Sequence, residues 1–61
     1  MTGEQLAVWR AHFHWSKYKA AKELGLSFNG YQAYERGKRP IPLHVALACR
    51  ALEWGLKPDA P

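Results

Sequence analysis

"AAKELGLSFNGYQAYERGKRP", residues 20–40, contains two short helices and the turn between them. Ala20, Ala21 and Leu24 put small and large apolar groups at helical intervals, and Gly25 can take the left-handed geometry that stops a helix without steric cost. Leu26 follows, an apolar residue directly before the N-cap candidate Ser27. The spacing predicts a second helix over about residues 28 to 35, ended by Gly37, with Tyr31 and Tyr34 inward and Phe28, Asn29, Gln32 and Arg36 wholly or partly outward. Gly30 lies in its first turn, where glycine costs up to about 1 kcal/mol relative to alanine. Either something outside must approach closely there, or the small core crowds the position.

Outward from this pair, the chain continues as helix. Thr2 and Gln5 form a capping-box pattern, and Leu6, Trp9 or Arg10, and Phe13 repeat at helical spacing, which predicts a first helix over about residues 3 to 13. Ser16 can cap the next, over about 17 to 24, with Lys19 where a capping acid would ideally stand. Beyond Gly37, the stiff stretch Pro40, Ile41, Pro42 cannot continue a helix. A last helix is expected from near Pro42 or Leu43, with Val45, Ala48 or Cys49, and Leu52 inward, to near Trp54 and Gly55. No alternation long enough for a sheet occurs, so the expected class is all-α, with residues 1–55 as one domain and 56–61, "LKPDAP", as a tail.

Composition narrows the function. A 61-residue chain forms one domain that buries roughly 60% of its extended surface, short for a cleft that excludes water. It has no glycine-rich phosphate loop and no nucleophile with a base and an orienting carboxylate, so no enzyme is expected. Cys49 stands alone, which excludes an internal disulfide and a four-thiolate zinc site. His12 and His14 are two apart, His44 is remote, and neither a metal nor another cofactor is expected. No apolar run approaches the roughly 20 residues of a membrane span, and no export-signal pattern opens the chain, so an intracellular protein without a membrane partner is expected. The net charge is +4, from nine Lys and Arg against five Asp and Glu. Lys17, Lys19 and Lys22 precede the first glycine, and Arg36, Lys38 and Arg39 cluster around Gly37, so cations bracket the third helix and favour a polyanionic partner.

Ser16, Ala21, Leu24, Gly25, Ser27, Tyr31, Tyr34, Glu35, Arg36 and Gly37, in this order, resemble the Cro/C1-type helix-turn-helix family of phage and bacterial repressors, over about Glu4 to Leu52. The resemblance implies a small lambda-repressor-like bundle of four or five short helices, a DNA-binding regulator, and a cytoplasmic place in a bacterial cell or a phage origin. Glu35 matches the acid of the family's "ERG", which commonly pairs with the arginine of the first helix, here Arg10. Departures are Lys17 where the family usually has glutamine, Gly30 for threonine or serine, Tyr31 for isoleucine or valine, and His14 where glycine is frequent.

Two helices meeting steeply across a tight turn need a glycine in the turn and a small side chain at the crossing, which Gly25 and Ala21 supply. The second helix of the pair can then enter the major groove. Asn29 and Gln32 are candidates to bond adenine bidentately. Phe28, and less forcefully Ala33, can meet a thymine methyl, although Phe28 could instead close the core under the turn. Ser27, Lys17, Arg36, Lys38 and Arg39 are the expected phosphate contacts on double-stranded DNA, with Lys19 and Lys22 a solvated face. The Tyr31 and Tyr34 hydroxyls need an outlet, to water or to a phosphate.

Leu47, Trp54 and Leu56 lie partly off the inward stripe Val45, Ala48, Leu52 of the last helix, and do not share one face by helical spacing. They are surplus to a core of this size and mark an expected homodimer interface. A two-fold pair would set two recognition helices about 34 Å apart on a palindromic operator. Two other functions fit the same features: a small helical protein-interaction module or antitoxin-like adaptor, and a non-specific architectural DNA binder. An organised face of Phe28, Asn29 and Gln32 near Lys17 and Arg39 favours DNA; an apolar patch around Trp54 as the sole organised surface favours a protein partner.

Overall fold

Three hydroxyl caps and two left-handed glycines set the frame. In a computed structural model describing Met1–Gly55, the elements are α1 (Gly3–His12), α2 (Lys17–Leu24), α3 (Phe28–Glu35) and α4 (Leu43–Glu53). Thr2 accepts from the Gln5 N–H at 3.1 Å while its own N–H donates to Gln5 Oε1 at 2.9 Å, a complete capping box. Ser16 and Ser27 accept from the Lys19 and Gly30 N–H groups, each at 3.1 Å. Gly25 (φ 71°) and Gly37 (φ 76°) stop α2 and α3, with the next residue's N–H turning back to Ala21 O and Ala33 O at 2.9 Å. The last helix starts at Leu43, the second of the two starts expected. Pro42 is the N-cap of α4, one residue before the helix, and offers no side-chain bond.

Leu6 and Trp9 of α1, Ala20 and Ala21 of α2, Tyr31 of α3, and Val45, Cys49 and Leu52 of α4 form the buried core. Cys49, not Ala48, takes the central inward position of α4. The small buried residues Ala20 and Ala21 leave room for α2 to pack on α3. The Trp9 indole N–H donates to the backbone carbonyl of Cys49 at 3.0 Å, so the largest core side chain has its polar edge satisfied while tying α1 to α4. Phe13 and Trp15 stack at 4.3 Å on the edge of this core, each meeting Trp9 edge to face. No helix among the described residues is long and apolar enough to cross a membrane.

Between Phe13 and Trp15, His14 has φ 58°, the left-handed region that favours glycine. This explains the position physically: the chain must reverse there so that Ser16 can cap α2, and histidine tolerates the geometry at some cost.

Candidate nucleic-acid interface

Behind α3, one carboxylate gathers three elements. Glu35 accepts from Arg10 Nε at 3.0 Å and Nη2 at 3.1 Å, and the third guanidinium bond runs from Nη1 to the Trp15 carbonyl at 3.0 Å. The planar fork of arginine thereby fixes α1, the α1–α2 turn and the end of α3 together. Burial is the largest single influence and opposes the Glu35 charge, but the Arg10 hydrogen bonds and charge, with Tyr31 and Lys17 beside them, together outweigh it, so its carboxyl is held below the usual range. The Tyr31 hydroxyl is buried beside this pair, with no hydrogen bond of good geometry. Burial and the Glu35 carboxylate push its phenol well above the ordinary value. Fully buried, the hydroxyl does not have the outlet to water or phosphate expected for it.

In front, α3 presents its first turn. Asn29 is exposed, while Phe28, Gln32 and Ala33 are half-buried along the same short helix. Phe28 does not close the core; its ring lies flat on Tyr18 of α2, centroids 4.1 Å apart and planes 14° from parallel. Gly30 is not crowded by the core either, since a Cβ there would meet only the Ser27 Oγ, at 3.0 Å. The Ser27 hydroxyl accepts the Gly30 N–H and retains its own proton for donation.

The cations divide into two groups. Arg36, Lys38 and Arg39 are exposed after α3 and form no ion pair among the described residues. Lys17, at the first position of α2, directs Nζ to within 4.0 Å of Glu35 Oε1, and so is shared between the ion-pair network and solvent. Lys19 pairs with Glu23 at 3.1 Å on the outside of α2, in keeping with a solvated helix face. No group of three or more His, Cys, Asp or Glu among the described residues is placed to hold a metal ion.

A family model, Helix-turn-helix, matches residues 6–51, from the first core leucine to the last turn of α4. The chain belongs to the Cro/C1-type helix-turn-helix family. No curated protein and no solved structure matches it. Within this helix-turn-helix domain α2 is the supporting helix and α3 the second helix of the unit, the one whose N-terminal residues meet base edges when such a unit docks in the major groove.

A second surface runs along α1 and α4, with Met1 before the one and Trp54 after the other. Met1, Val8, Trp9, Leu43, Leu47 and Trp54 line a groove between these helices. Val8 is 66% exposed, Leu43 73% and Trp54 71%. Leu43 and Leu47 of α4 and Trp54 at its C-cap line this same groove. Leu56 lies outside the described residues. Val8 and Leu43 went unnoticed in the sequence because an outward stripe on one helix gains meaning only beside its neighbour. Tyr18 was missed for a similar reason: nothing in its spacing points to a ring ten residues further on.

Proposed function

We propose that this helix-turn-helix domain is a sequence-specific transcriptional regulator, a repressor that binds a palindromic operator as a homodimer. The observation that carries the reading is the two-sided construction of α3. Its inner side is locked by the buried Tyr31 and the Arg10–Glu35 fork, while its first turn carries an exposed Asn29 and the helix is followed by three exposed cations that form no ion pair among the described residues. A rigid helix with a polar reading end and flanking positive charge suits recognition of a groove between two phosphate rows. Asn29 and Gln32 are assigned to base edges, with Phe28 and Ala33 on thymine methyl groups. Lys17, Ser27, Arg36, Lys38 and Arg39 are assigned to phosphates. The α1–α4 groove, with Leu47 and Trp54, is the proposed pairing surface, and the repressor role follows the family's phage and bacterial repressors.

The test is a salt titration of a duplex selected by the protein from a random pool, against a scrambled duplex. Both should weaken steeply with salt, as phosphate contacts require, while a gap of about 10³-fold or more separates them. Equal affinities at every salt concentration would leave only an architectural binder. The exposed groove supports a second reading, a protein-interaction module. A protein that stays monomeric on DNA and captures a different chain through Trp54 would favour it.

A further inference from the structure

Tyr18 and Phe28 are large apolar side chains that contribute nothing to the core. Neither belongs to the buried cluster or to the half-buried residues packed against it. Tyr18 is 69% exposed, and its ring stacks on that of Phe28. Each stands in the first turn of its helix, Tyr18 next to Lys17 and Phe28 between the cap Ser27 and the exposed Asn29. The result is a two-ring platform at the junction of the two helices, held in a flat stack and open to solvent.

An aromatic residue at the first position of a short helix would ordinarily sample several rotamers, and ordering it on binding would reduce affinity. The stack removes that freedom beforehand. We infer that Tyr18 is a positioning residue for base reading: it holds the Phe28 ring in one orientation, so that the pair recognises the C5-methyl group of a pyrimidine in the major groove. The methyl group of thymine is the apolar feature a base pair displays there, and an apolar ring edge is a suitable partner for it. The inference rests on the proposed sequence-specific reading and assigns part of that specificity to a residue outside α3.

The duplex selected from a random pool by the parent protein is rebuilt with deoxyuridine in place of thymidine at one position at a time, which deletes a single methyl group. Binding is measured for the parent, Tyr18→Ala and Tyr18→Phe, with melting curves for all three. At one thymine of each half-site the methyl deletion should cost the parent about fourfold, the value of one buried methyl-sized group. The same deletion should cost Tyr18→Ala close to nothing, and Tyr18→Phe should restore the parent's response because it keeps the stack. Melting of Tyr18→Ala should stay near that of the parent, since the pair lies off the core. A methyl effect of equal size in the parent and Tyr18→Ala at every thymine overturns the inference and leaves sequence-specific binding intact. A pool from which no preferred duplex emerges overturns both.

Discussion

A Cβ built on Gly3 would lie 2.5 Å from the carbonyl oxygen of Glu35 and 2.6 Å from that of Tyr34. The first turn of α1 therefore rests directly on the backbone that ends α3, with no room for a methyl group. Gly3→Ala, which in an open helix would gain up to about 1 kcal/mol, should here destabilise by about 1–3 kcal/mol as the two helices are forced apart. For a domain of this size each kcal/mol lowers the melting temperature by about 4–8 °C. A variant melting at or above the parent would remove the close contact.

Gly30→Ala should behave in the opposite sense. Only the Ser27 Oγ, at 3.0 Å, stands near the new methyl group, and a small side-chain adjustment relieves it. Fold stability should hold or rise by up to about 1 kcal/mol. Operator binding should fall by about 1–2 kcal/mol if the bare backbone there is the point of closest approach to DNA. Parallel melting and anisotropy measurements decide it, and unchanged affinity would assign Gly30 no part in binding.

Arg10→Ala strands a carboxylate whose side chain is only 9% exposed, with Lys17 at 4.0 Å as its remaining partner. We expect a loss of about 2–4 kcal/mol at neutral pH, against less than about 0.5 kcal/mol for the exposed Lys22→Ala. The folded Glu35 carboxyl titrates below its ordinary value of 4.5. Its contribution is therefore complete above that value and fades as the pH falls through the lower, folded one. The gap between parent and Arg10→Ala melts should narrow in acid; a gap constant from pH 7 to pH 3 would argue against the ion pair as its source.

Asn29→Ala and Gln32→Ala should each weaken specific binding by about 1–3 kcal/mol and leave scrambled DNA nearly unaffected. Lys38→Ala or Arg39→Ala should weaken both and reduce the salt slope by about one unit. Equal losses on both duplexes for Asn29 and Gln32 would remove their assignment as readers.

Trp54→Ala and Leu47→Ala should shift sedimentation of the operator complex from two copies toward one, because both line the α1–α4 groove. A parent that binds a palindromic duplex only one to one at saturation excludes the pair. A Trp54→Ala variant that pairs as well as the parent moves the interface elsewhere.

What could be read from the residues is whatever is decided within one turn of chain. Thr2, Ser16 and Ser27 cap their helices through bonds spanning three positions, and Gly25 and Gly37 end theirs by their own φ. The four helices follow from these local choices and from apolar spacing. Contacts set by how helices meet were not legible in the same way. The Gly3 approach to α3, the Trp9 bond to Cys49 and the Tyr18–Phe28 stack join residues 32, 40 and 10 positions apart, and no periodicity encodes such meetings. The Arg10–Glu35 pair, also long-range, came within reach only through resemblance to a family.

The three tryptophans occupy three depths, and this gives the protein its own optical labels. Trp9 is 4% exposed, Trp15 is half-buried against Phe13, and Trp54 is 71% exposed on the groove. A collisional quencher such as iodide reaches Trp54 first and Trp9 last. Pairing through α4 would therefore appear as lost quenching of the red-shifted part of the emission, while unfolding would make all three indoles equally accessible. One unmodified spectrum can thus separate association from loss of structure.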